Sequence, residues 1–152
     1  MLLPWTATQL IGEVDGIFER AETQIDMEVQ SDYAKYLVIR LSGLVEQVVT
    51  EVVLAHVSAQ SSTTVLGYVT AQVRRFRNPN FERVEALVGS FDRRWSEELS
   101  KTATRSEREA LGSVRAQRNR IAHGQQSTVS LVQAKGYFTE IKSLLDRIAR
   151  HF

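Results

Sequence analysis

Arg118, Asn119 and His123 fall within six residues at the end of a helical stretch, about Glu107–Ala122. An imidazole has an unperturbed pKa of about 6.5, which suits proton transfer near neutrality. A guanidinium presents a planar fork to the oxygens of a phosphate or carboxylate. On a wheel of about 100° per residue with Leu111 at zero, Val114, Ile121 and Ala122 share an apolar stripe, and Arg118 lies inside it at about −20°. Asn119 and His123 lie together on the adjoining flank, at about +80° and +120°, as an i,i+4 pair. A guanidinium aimed along a core stripe is costly unless a carboxylate, phosphate or carbonyl meets it. The other reading is structural: Arg118 paired to a carboxylate of a neighbouring helix, beside a surface Asn and His. Glu51 and Glu46 are the candidate carboxylates. With Val48 at zero, Glu51 borders the apolar stripe of its helix at about −60°, and Glu46 lies on the far face at about 160°.

Basic residues recur elsewhere. Arg74-Arg75-Phe76-Arg77 mixes cationic and aromatic character, which suits backbone contact with base stacking; as a solvated helix end it would tuck Phe76 into the core. Arg115 lies one turn before Asn119 and can extend an anion-binding surface, whereas Arg120 points away from the core. Trp95 reads as core, beside Arg93 and Arg94. His56 and His151 read as isolated surface residues near helix ends. Tyr33, Tyr36 and Tyr137 read as core packing with a wet tip.

These groups need a frame. Proline occurs only at positions 4 and 79, so long stretches carry no strong helix breaker. Apolar spacing predicts helices over about 7–29, from a Ser31 or Asp32 cap to Ser58, over 65–76, 81–89 and 91–101, then to Ala122, and over 131–150. In the second of these, Leu37, Leu41, Leu44, Val48, Val52 and Ala55 follow the helical period despite the valine content. Residues 61–64 form a polar connector and Asn78-Pro79-Asn80 a turn. Ser106 and Glu109 are spaced as a capping box, and Gly124 is placed as a C′ residue. The expectation is a single all-α domain over 1–152: two long N-terminal helices, short middle helices and two C-terminal ones.

Composition narrows the chemistry. Of 152 residues, 43% are hydrophobic and 24% charged, a globular balance. Cysteine is absent, which excludes disulfides, thiolate metal sites and cysteine nucleophiles. Three histidines make a dedicated metal site unexpected. The opening residues lack a basic n-region, and no uncharged apolar run reaches about 18 residues. A cytoplasmic protein with no membrane contact is therefore expected. The net charge of +1 divides into −6 over residues 1–60 and +7 over residues 61–152. Such asymmetry can mark a polyanion-binding surface, or two halves that neutralise each other in the fold.

The run Arg118-Asn119-Arg120-Ile121-Ala122-His123-Gly124 resembles the Arg-x4-His signature of the HEPN superfamily, and its RiboL-PSP-type variant in particular. Similar order extends along nearly the whole chain: an acidic helix pair, the Arg77–Phe81 turn, Phe91 and Trp95, the motif, and a final amphipathic helix. The resemblance implies a HEPN-like helical bundle and a metal-independent endoribonuclease without cofactor. It implies a prokaryotic defence or toxin–antitoxin setting, with RNA as substrate, a homodimer whose cleft unites two motifs, and a cognate antitoxin or defence-system protein as possible partner. By the same resemblance His123 is the general acid/base at the RNA 2′-OH, Arg118 holds the phosphate, and Asn119 orients the partners. Arg115, Arg74, Arg75 and Arg77 are the expected RNA contacts. The alternative is a non-catalytic HEPN-like module for dimerisation or for binding a nucleotide or partner.

Overall fold

The computed structural model describes residues 2–152, and every regular element among them is a helix: α1 (Trp5–Glu22), α2 (Met27–Gln60), α3 (Thr63–Val73), α4 (Phe81–Phe91), α5 (Arg93–Thr102), α6 (Arg105–Ala122) and α7 (Leu131–Ala149). None is long and apolar enough to cross a membrane. The expected all-α bundle is what the chain forms, with boundaries set by caps.

The first boundary differs from expectation. α1 stops at Glu22, not near residue 29, and Asp26 rather than Ser31 or Asp32 opens α2. The Asp26 carboxylate accepts from the Glu28 and Val29 N–H groups at 2.8 and 3.2 Å, meeting two of the donors that a helix start leaves unpaired. Ile25 continues the apolar spacing of α1 in sequence, yet it stands 96% exposed in the turn. Spacing alone extends a helix through a turn that a capping carboxylate ends.

α2 is the axis. Its 34 residues run about 50 Å at 1.5 Å per residue. It packs against α1, α3, α6 and α7. Val38, Val45, Val48, Val49, Val52 and Val53 are all buried along it, so tertiary packing overrides their strand preference. α1 lies antiparallel to it, since Thr6 Oγ1 donates to Glu51 and Arg40 pairs with Glu13. Phe18 of α1 stacks on Phe138 of α7 at 5.1 Å, closing the core between these helices.

The start of α6 also differs from expectation. The capping box is Thr104 and Glu107, not Ser106 and Glu109. Thr104 Oγ1 accepts from the Glu107 N–H at 3.1 Å, and the Glu107 carboxylate accepts from the Thr104 N–H at 2.8 Å. Both pairs have the right spacing; burial decides between them. Glu107 is only 1% exposed and also accepts from Ser143 and Arg147 of α7. Glu109 faces solvent and pairs with Arg105. Burial alone would push the Glu107 carboxyl up, but the Arg147, Ser143 and Thr104 hydrogen bonds hold it below the usual range. The α6–α7 hairpin that carries the motif is thus locked at its far end by a buried ion pair.

At the motif end, Gly124 takes φ +67°. Its N–H donates to Ile121 O at 3.1 Å, and the Gln125 N–H to Arg120 O at 2.8 Å. These two bonds make a Schellman stop. It fixes His123 as the last residue before the chain turns away.

Candidate active site

The α6 end and the 77–80 turn meet on one face of α2. Asn78 is the hub. Its backbone has φ +44°, a left-handed conformation that asparagine tolerates better than other side-chain-bearing residues. Its N–H donates to Glu46 Oε1, and Arg77 Nη1 reaches Glu46 Oε2 at 3.2 Å. The Asn78 side chain donates through Nδ2 to Asn119 Oδ1 at 2.8 Å and accepts from the buried Ser42 Oγ at 3.3 Å. Pro79 and Phe81 are buried beneath the turn, and the Arg108 guanidinium sits 4.0 Å over the Phe81 ring. Arg83 Nη1 donates to Arg77 O at 2.9 Å and closes the turn from the other side.

Arg118 is half-buried, and its one hydrogen bond within the described residues runs from Nη1 to Asn119 Oδ1 at 3.5 Å. No described carboxylate lies within ion-pair distance of it. The structural pairing considered for Arg118 is therefore not formed. Glu46 is committed to Arg77 and Asn78, because the face of α2 on which it lies is covered by the 77–80 turn. Glu51 accepts from Thr6 of α1. Neither supports Arg118 directly; Glu46 acts on it only through Asn78 and Asn119.

His123 is exposed, and its imidazole makes no hydrogen bond with the described residues. Helical geometry places it one turn beyond Asn119 on the same flank. Arg115 lies on α6 one turn before Arg118, and its Nε is buried without a partner. Two arginines of α6 thus have donors that no described residue meets.

Other basic residues divide. Arg74 and Arg77 line a cleft of about 420 Å³ between α1, α2 and the end of α3, which also holds Glu13, Glu46 and Glu51. Arg75 is exposed outside that lining, and Phe76 is buried as the core reading required. The three carboxylates there offset the charge of Arg74 and Arg77.

His56 and His151 are not the surface residues expected. His56 packs edge-on against Phe91, Trp95 and Phe152, and its Nδ1 lies 2.9 Å from Phe152 O. The His151 side chain is 9% exposed, near Glu98. Both are partly buried because α2, α4, α5 and the chain's last residues converge there. Tyr33 and Tyr137 pack against the core as expected, while Tyr36 is half exposed; among the described residues none bonds to the motif. Asn78, Ser42 and Glu107 escaped the sequence reading. An Asn before Pro signals a turn, but nothing local says that this turn reaches α6.

An all-helical bundle with an Arg-Asn-x-x-x-His helix end at a polar hub defines a HEPN-type domain. The family model for RiboL-PSP-HEPN matches residues 10–152, and the chain belongs to that family. No curated protein and no solved structure matches it.

Proposed function

We propose that the protein is an endoribonuclease whose site is built on Arg118, Asn119 and His123. The observation that carries this reading is Arg118: a half-buried guanidinium with no carboxylate partner among the described residues, held beside the Asn119 amide, whose own flank carries an unbonded imidazole one turn further on. A structural arginine is paired; this one is left available for an anion.

In the proposed reaction a ribose 2′-O–H loses its proton to an imidazole and attacks the adjacent phosphorus. The P–O5′ bond breaks, and the departing 5′ oxygen takes a proton. The products are a 2′,3′-cyclic phosphate and a 5′-OH. Arg118 faces the non-bridging phosphate oxygens and stabilises their extra charge, with Arg115 beside it. His123 moves the proton. All groups named are side chains of this chain, so the step needs no metal. A homodimer that brings two motifs together supplies the second imidazole for the leaving group. The toxic arm of a prokaryotic defence or toxin–antitoxin system, in the cytoplasm, is the setting we propose, with RNA as substrate.

The test is to incubate the purified protein with RNA in excess chelator and read the end groups. Cyclic phosphate and 5′-OH ends, lost in His123→Ala, are expected. Cleavage that requires divalent metal, or that survives unchanged in His123→Ala, overturns the proposal.

A further inference from the structure

We propose that Asn78 is a positioning residue that braces the Asn119 amide in the orientation Arg118 selects, so that Asn119 meets its ligand as a hydrogen-bond donor. This rests on the ribonuclease reading for its consequence, and on hydrogen-bond polarity for its content.

A guanidinium carries five N–H donors and no acceptor. Arg118 Nη1 faces Asn119, so the atom it faces must be the carbonyl oxygen, Oδ1. The same Oδ1 lies 2.8 Å from the Asn78 side chain, which must then present its Nδ2. That leaves Asn78 Oδ1 toward Ser42, whose hydroxyl can donate to it at 3.3 Å. The polarity of one donor-only group thus runs through two amides to a hydroxyl. Reversing the Asn119 amide would set N–H against N–H, and reversing the Asn78 amide alone would set oxygen against oxygen, at a half-buried contact and at the cost of unpaired polar groups.

The consequence is chemical. With two donors on its oxygen, Asn119 has its Nδ2 left over, and no hydrogen bond within the described residues uses it. A free amide N–H beside Arg118 is suited to a phosphoryl oxygen, where negative charge grows during the reaction. Turned the other way, the amide would offer a carbonyl dipole that repels the same oxygen. Asn78 is itself held independently of its side chain, by φ +44° and by its N–H to Glu46.

That independence makes a clean variant. Asn78→Gly accepts the left-handed backbone without strain and keeps the N–H to Glu46, while it removes only the amide. The full chain, wild type and variant, is assayed for kcat and KM on a single-stranded RNA oligonucleotide. The Asn119 side-chain NH2 resonances are followed by NMR, assigned by their loss in Asn119→Ala. A misdirected donor should lower kcat about 10- to 100-fold with KM within about twofold. The Asn119 resonances should shift, and the melting temperature should stay within a few degrees. A kcat equal to wild type, or Asn119 resonances that do not move, overturns the role of Asn78. If wild-type protein cleaves no RNA at all, the ribonuclease reading fails by itself and the NMR arm alone judges Asn78: shifted resonances support the coupling, unmoved ones end it.

Discussion

Two arginines on the α6–α7 hairpin should respond in opposite ways to the same substitution. Arg147 donates to the Glu107 carboxylate at 3.0 and 3.1 Å, and that carboxylate is almost wholly buried. Arg147→Ala leaves an uncompensated buried charge, and breaking a buried pair this way costs about 3–5 kcal/mol. For a chain of this size about 1 kcal/mol moves the melting temperature by roughly 2–4 °C, so a fall on the order of 10 °C follows. Arg118 has no ionic partner and one 3.5 Å contact to a neighbouring amide. Arg118→Ala gives up some packing of a half-buried stem, about 1 kcal/mol or less. If Arg118 serves phosphate, its loss should instead cost about 10²–10³-fold in kcat, as removal of a preorganised donor does. Thermal unfolding by circular dichroism, beside RNA cleavage, separates the cases. A melting temperature that falls as far in Arg118→Ala as in Arg147→Ala refutes the reasoning, because Arg118 would then be holding the fold and not waiting for a ligand.

Further outcomes follow from the same geometry. The Glu107 carboxyl is held below its ordinary value, so its stabilising bonds are fully present above the ordinary glutamate pKa of about 4.3 and are lost as pH falls through the lower folded-state value; the acid side of a stability–pH curve should flatten in Glu107→Gln relative to wild type. Gly124→Ala forces a Cβ into φ +67°, and should cost about 1 kcal/mol in urea unfolding while disturbing His123 first. Glu46→Gln keeps an acceptor for the Asn78 N–H but loses the charge facing Arg77; cleavage should fall less than about tenfold, and Glu46→Ala should lower it further. Specific activity should drop on dilution in step with dissociation seen by light scattering; activity constant down to the monomer counts against a shared site.

Element type was legible in the sequence because helix packing repeats at a fixed period, and Leu37 through Val52 announce it whatever their individual propensities. Element ends were less so. A cap depends on one side chain, and Asp26 and Thr104 compete with equally spaced neighbours until burial chooses. The motif itself was legible as a local spacing on α6. Its surroundings were not: Asn78 stands 41 residues from Asn119, and Ser42 stands 36 from Asn78. Such contacts arise only when α2 carries the 77–80 turn onto α6. The carboxylates misled for the same reason. A wheel says which way Glu46 points, and not that a turn will cover that face.

The division of labour within α6 bears on how the proposed site would be completed. Near Thr104 every polar group is satisfied: a buried carboxylate, its arginine, a hydroxyl and a backbone N–H close on one another. Near His123 the reverse holds, with one guanidinium unpaired, an Nε of Arg115 buried and unmet, and an imidazole in solvent. Leaving donors unmet costs stability, and such violations of local rules gather where a ligand is to supply the missing partner. Transesterification of RNA needs one group to take the 2′ proton and another to protonate the 5′ oxygen. One chain offers one imidazole at this place; His56 and His151 are engaged among the aromatic rings and Glu98. On the proposed reaction the second proton carrier must therefore come from beyond the chain, and a second copy of the same helix end is the economical source.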